Sequence, residues 1–254
     1  MRVSLLALGA AMVCAAGPAF AQDTAPPPAI TINGTATIVS DYRFRGISQT
    51  DKNVAVQGSI TVSHESGLYV SAWGSSTDDY VTASGRGHQE LDLIAGYKKT
   101  VNGTTFDVGV LYYVYPKSKL SGDRSSSDFI EPYVSVAHTL GPATGKLSLA
   151  YAPKQKPLAL DQIGPAKDNV YLAGDLSLAI PKTPISLTGH LGHTWGPSWL
   201  SIGKEYTDWN LGVAVTHKVL TLGISYVDTD GDFITPSGKN ASKSGVVASL
   251  GVAF

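Results

Sequence analysis

The chain has 254 residues, 43% of them hydrophobic and 15% charged, and its formal net charge is −1. That slightly acidic balance excludes the basic face of a nucleic-acid binder. The single cysteine, Cys14, excludes a disulfide framework and a thiol metal site.

Residues 1–21 read as a secretory signal. Arg2 gives a basic start, Leu5 to Ala16 is apolar, and Ala19-Phe20-Ala21 is a small-x-small cleavage site. The apolar run is too short to span a membrane, and Gly17-Pro18 break it. Val13 before Cys14 does not fit a lipoprotein signal. Cleavage after Ala21 would remove the cysteine and one base, making the net charge one unit more negative. Residues 22–29 form a Pro-rich lead expected to be disordered.

From residue 30 onward, segments with a period of two alternate with turn residues. The first expected strand covers Thr31 to Arg45. It puts Ala36, Ile38, Tyr42 and Phe44 on one face and Asp41, Arg43 and Arg45 on the other. Further strands are expected at residues 54–63, 68–75, 90–98, 105–115 and 128–138, then at 146–151, the weakest pattern of the series. The last five fall at 170–179, 185–195, 208–217, 220–228 and 245–254. Each has an apolar face opposed to a polar or small one.

The connections alternate in length. His64–Gly67, Lys99–Thr104, Thr139–Gly145, Ile180–Pro184 and Lys218-Val219 are short. The connections starting at Gly46, Ser76, Pro116, Ala152, Gly196 and Thr229 are long and rich in Gly, Ser, Asp, Lys and Pro. Twelve strands, short turns at one end and long loops at the other match an all-β, antiparallel, up-and-down transmembrane barrel of the bacterial outer membrane. Tyr42, Phe44, Tyr112, Tyr151, Trp195, Trp209 and Tyr226 are expected to form an outer aromatic girdle, and Tyr97, Phe106 and Phe254 a periplasmic one. A soluble sandwich or lipocalin-type barrel would also alternate, but would not explain the loop asymmetry.

The segment SDYRFRGISQT (Ser40 to Thr50), followed by AVQG (Ala55 to Gly58), resembles the opening of the TorF family of porins. ELDLIAGY, FDVGVLYYVYP, YTDWNLGV and SYVDTD are similar to other parts of that family, with Val54 where it usually has Pro. The resemblance spans nearly the whole chain after the expected signal. It implies an outer-membrane barrel of porin type and carries no substrate or functional residues with it.

On the polar faces, Asp41, Arg43, Arg45, Glu90, Asp92, Asp107, Glu131 and Asp175 are the expected pore-lining residues, accompanied by Lys98 and Lys146. They could form a constriction or a salt-bridge network filling a narrow lumen. Six acids against four bases point to a narrow pore with a weak cation preference. Asp228, Asp230 and Asp232 resemble the start of a calcium loop, but Lys239 stands at the twelfth position. His190 and His193, three apart on a strand, face opposite sides and cannot chelate together.

The expected function is passive diffusion of ions or small polar solutes, without catalyst, cofactor or metal. The expected surroundings are outer-membrane lipid, lipopolysaccharide and the barrel-assembly machinery, for which Phe254 is the expected signal. One alternative is an outer-membrane lipase or protease, for which His88 near Asp78, Asp79 and Glu90 is the nearest approach to a catalytic set. The other is a plugged structural or adhesin barrel.

Overall fold

The computed structural model describes residues 28–82, 87–120, 126–160 and 164–254. The expected signal, and most of the Pro-rich lead, lie outside them. The strands are β1 (Ile30–Val39), β2 (Arg43–Phe44), β3 (Ile47–Ser48), β4 (Ala55–His64), β5 (Leu68–Ser76), β6 (Gln89–Val101) and β7 (Thr104–Val114). They continue as β8 (Phe129–Leu140), β9 (Ala143–Gln155), β10 (Lys167–Ala179), β11 (Ile185–Trp195), β12 (Tyr206–His217), β13 (Leu220–Thr229) and β14 (Gly245–Ala253). All but β2 and β3 join one closed, antiparallel, twelve-stranded barrel in which each strand pairs with its chain neighbours.

The expected strands appear nearly in place, with two differences. The weak 146–151 segment is the middle of β9, which extends at both ends. The first strand stops at Val39 instead of running to Arg45, and the chain then turns into the barrel. Connections at one end are the turns 65–67, 102–103, 141–142, 180–184 and 218–219. Asn102 and Gly103 both take positive φ, 49° and 77°, the two-residue turn that suits strand twist. The other end carries all the long connections.

Closure occurs between β1 and β14, from Thr35↔Ala253 to Val39↔Ser249. Gly34 and Phe254 extend it by exchanging backbone hydrogen bonds of 2.7 and 3.0 Å. A Cβ at Gly34 would meet the Phe254 ring at 2.5 Å, so the ring lies across that glycine at the seam.

The outward faces form a continuous apolar surface: Ile32, Ile60, Leu147, Leu176, Leu211 and Leu250 are typical, each about half exposed or more. A closed sheet with such a belt spans hydrocarbon, because water would not tolerate the belt and lipid would not tolerate an open edge. The protein is an outer-membrane barrel. Tyr112, Tyr151 and Tyr226 stand exposed at the outer rim, and their hydroxyls donate to Asp128, Asp168 and Asp228. An apolar ring with a polar tip held at the rim is the chemistry of an interfacial girdle. Trp195, Tyr97, Phe106 and Phe254 are also exposed on this face. Tyr42 and Phe44 are not in the girdle. Tyr42 is 1% exposed and lies inside the barrel.

The inner face is polar and small toward the short turns and aromatic toward the long loops. Thr35–Ser59, Thr61–Ser71 and Thr216–Thr221 are hydrogen-bonded pairs of the first kind. On the β5–β8 wall, Tyr69, Gly96, Gly109 and Tyr133 stand in register. The two tyrosines lean over the two glycines until their hydroxyls meet, and Tyr69 donates on to Asp107 at 2.9 Å. Lys98 completes the cluster, 3.3 Å from Asp107.

Those glycines are spaces that the rings fill. A Cβ at Gly109 would lie 2.6 Å from Tyr133 Oη and 2.8 Å from the Ala95 carbonyl oxygen. Gly109→Ala should therefore cost about 1–3 kcal/mol by overpacking, read from urea unfolding of the refolded barrel. Gly174→Ala, with nothing within 4 Å of its Cβ position, should cost nothing measurable. Equal behaviour of the two variants would show that the Tyr133 ring does not pack tightly against Gly109.

Candidate functional site

The long connection between β1 and β4 folds into the lumen as the small hairpin β2–β3. Phe44 pairs with Ile47, so Arg45-Gly46 is its two-residue turn, with φ of 48° and 80°. Glycine is required at the second position twice over. Its φ is positive, and a Cβ there would sit 2.9 Å from Asp208 Cβ and 3.1 Å from Thr229 Cβ. The tip of the hairpin is thus pressed against β12 and β13.

Asp41 organises the base of the hairpin. Its carboxylate accepts from Arg43 Nε at 2.6 Å, Ser48 Oγ at 2.6 Å and Thr50 Oγ1 at 3.3 Å. Arg43 Nη1 donates to the carbonyls of Gly46, Ala241 and Lys243, which ties the hairpin to the chain entering β14.

Arg45 reaches across the lumen. Its Nη2 donates to both oxygens of Glu131 on β8, at 2.7 and 2.8 Å, and its Nη1 to Asn169 Oδ1 on β10 at 3.1 Å. The guanidinium also lies 4.1 Å from the Tyr171 ring centroid and 4.8 Å from that of Phe44. In the ring of twelve strands, β8 and β10 lie almost opposite β1 and β4, which carry the hairpin. The side chains of Arg45 and Glu131 are 6% and 3% exposed. Burial works against the Arg45 charge, but the Glu131 carboxylate outweighs it and holds the guanidinium above its ordinary pKa.

Around this bridge lie two further sets of lumen groups. Glu90 accepts from Tyr42 at 2.9 Å and Tyr115 at 3.2 Å, and Asp92 lies on the same face of β6 with Oδ1 unpartnered. On the other side, His190 sits between Asp175 at 2.7 Å and Asp208 at 3.0 Å, and Tyr171 donates to Asp208. Every expected lining residue lies inside the barrel, but Asp41, Arg43 and Arg45 are there because a hairpin carries them in. The strand continuation expected for them does not exist.

Sequence reasoning missed Asp208 and the inward tyrosines 42, 113, 115 and 171. The Asp175–His190 contact was available in principle, since those residues face each other directly across the β10–β11 pair. His193 does point away from His190, and its ring packs edge-on against Trp195 at 4.5 Å. The calcium-like run does not converge. Asp228 accepts from Tyr226, Asp230 from the Thr207 N–H, and Asp232 from Asn240. His88 contacts Asp79 at 3.1 Å on the exposed rim, while Glu90 turns inward, so the acids near it do not gather around it.

Outside the bridge, Asp51 ties the hairpin loop to the last long loop. It accepts from Thr235 at 2.9 Å and Ser237 at 2.7 Å, and Lys239 Nζ lies 3.1 Å away. Burial disfavours its charge, but these hydrogen bonds outweigh that and hold its carboxyl below its ordinary pKa.

The profile of a family described as "Bacterial protein of unknown function (Gcw_chp)" matches residues 21–254. No curated relative matches the chain. Among solved structures, the NanC porin aligns with 88% of this chain and 99% of its own, at 12% identity and a TM-score of 0.58. A chain from work on in-meso crystallization of membrane proteins aligns over 87% and 83%, at 9% identity and a TM-score of 0.54. An outer membrane channel from Pseudomonas putida F1 aligns over 90% and 96%, at 13% identity and a TM-score of 0.47. At such identities the likeness to NanC is one of fold.

Because the Asp51 pKa is depressed, its tether is complete at neutral pH and is lost only as pH falls below the ordinary aspartate value of about 3.9. Amide exchange at residues 233–241, corrected for intrinsic rates, should stay flat from about pH 7 to 5 and rise below about 4. Asp51→Asn should show the raised exchange already at neutral pH. Unchanged exchange in that variant would count against the tether.

Proposed function

We propose that this chain, which belongs to the Gcw_chp family of bacterial proteins, is an outer-membrane channel for small polar solutes or ions, narrowed by the hairpin within residues 40–54. The Arg45–Glu131 pair carries the reading. A loop that crosses the lumen and is held by a doubly hydrogen-bonded arginine on the far wall sets the passage. A barrel serving only as a surface scaffold has no need to place its most tightly held charges on its own axis. The likeness of residues 40–50 to the TorF porins supports the same reading, because those residues make up the hairpin.

A weak cation preference is part of the proposal. Arg43 and Arg45 are each neutralised by an acid, and Lys98 sits beside Asp107. Among the described residues Glu90 and Asp92 have no ion-pair partner. These two carboxyl groups are where a passing cation would find its counter-charge. On this reading the outward belt meets membrane lipid and lipopolysaccharide, and insertion requires the barrel-assembly machinery.

Planar-bilayer recording tests both parts. The unaltered barrel should give small, steady conductance steps with a reversal potential on the cation side under a salt gradient. Arg45→Ala frees the hairpin from the far wall and should raise the conductance several-fold. Silence from the unaltered barrel and from Arg45→Ala alike would refute the channel, and anion preference would refute the selectivity.

A further inference from the structure

Above the hairpin, at the mouth formed by the long loops, is a cavity of about 260 Å³. This is slightly below the ~300–1,000 Å³ common for small-molecule sites. Its walls come from several of the long connections and are dominated by rings and branched side chains. Phe44, Tyr80, Phe129, Trp199, Tyr206 and Phe233 all contribute. The rings are fixed from behind. The Tyr80 hydroxyl donates to the Ser48 carbonyl at 2.5 Å, and Tyr80 packs on Phe233 with centroids 5.8 Å apart. Trp199 Nε1 donates to the Val81 carbonyl at 3.1 Å, so the polar atom of the indole is already engaged.

Among the described residues lining this cavity, Glu90 alone is a carboxylate or a base. Its two oxygens each accept one tyrosine hydroxyl, which leaves acceptor capacity on a group that can take about four hydrogen bonds. Asp92 follows it on the same face of β6, 2% exposed, with Oδ1 unpartnered. Among the described residues the arginines are engaged elsewhere, Arg43 with Asp41 and Arg45 with Glu131. An aromatic cage above two carboxyl groups that lack a cation suits a positive ion with an apolar body, which would bring the counter-charge that an ionised Glu90 requires. The ring faces attract the cation and the apolar body replaces water in the cavity.

We propose that this cavity is a binding site for a small organic ammonium ion with an aromatic or branched apolar body, its charged end toward Glu90. The site goes beyond the channel reading, and its occupancy can be read without conduction. The two ideas can therefore fail separately.

The test uses the whole barrel, refolded in detergent, and isothermal titration calorimetry with benzyltrimethylammonium. Benzyl alcohol serves as the neutral probe and benzenesulfonate as the anionic one. Saturable binding of the cation is expected, with benzyl alcohol weaker by about tenfold or more and benzenesulfonate not bound. Glu90→Gln should weaken the cation by about tenfold or more while leaving benzyl alcohol unchanged. Phe233→Ala, in an outer loop away from the strands, should weaken both the cation and the alcohol. It keeps the test open should Glu90→Gln fail to fold. The proposal falls if benzenesulfonate binds as tightly as the cation, or if folded barrel shows no saturable cation binding. It also falls if folded Glu90→Gln or Phe233→Ala binds the cation with unchanged affinity.

Discussion

Inside hydrocarbon a peptide N–H or C=O without a partner costs several kcal/mol, and that constraint governs everything else here. A sheet can meet it only by leaving no edge. The last strand must find the first, and it does so along Thr35 to Val39 and at the exchanged hydrogen bonds between Gly34 and Phe254. Once the sheet is closed, alternation along each strand becomes a division between lipid and interior. The same period that would make a soluble sandwich apolar within makes this protein apolar without.

Closure also creates an interior that must be filled or wetted, and this protein does both. Toward the short turns the inner face is serine and threonine, hydrogen-bonded in cross-strand pairs. Elsewhere it is tyrosine over glycine, with hydroxyls directed at carboxylates. Tyr69 and Tyr133 over Gly96 and Gly109, and Tyr171 against Gly192, follow one logic. A ring too large for the pleat is accommodated because its neighbour lacks a side chain. The phenol then brings a donor to Asp107 or Asp208, whose charge would otherwise be costly to bury.

The hairpin depends on that filled half. Its polar groups are tolerated only because partners wait elsewhere in the barrel: Glu131 and Asn169 for Arg45, backbone carbonyls near β14 for Arg43, and Glu90 for the Tyr42 hydroxyl. Breaking one such pair leaves an uncompensated charge in a confined space. The hairpin is therefore held as a unit, and the outer cavity lies above it.

How much of this could be read from residues alone follows from the range of the forces involved. Strand positions, their number, the alternation of short and long connections and the outward girdle of Tyr112, Tyr151 and Tyr226 are local patterns with a period of two, and each is written within a few residues. The barrel and its residence in the outer membrane follow from them. The direction taken by residues 40–54 is not local. Tyr42 and Phe44 continue the apolar alternation of β1, and nothing nearby distinguishes a longer strand from an inward turn. The Arg45-Gly46 turn is the one short-range hint. The decision is made on the opposite wall, where Glu131 and Tyr171 accept the guanidinium, some 86 and 126 positions along the chain. Sequence by itself determined which residues face lipid, because pleat geometry decides that strand by strand. Tertiary structure alone decided what stands in the lumen, because closing the barrel is what brings those walls within reach of one another.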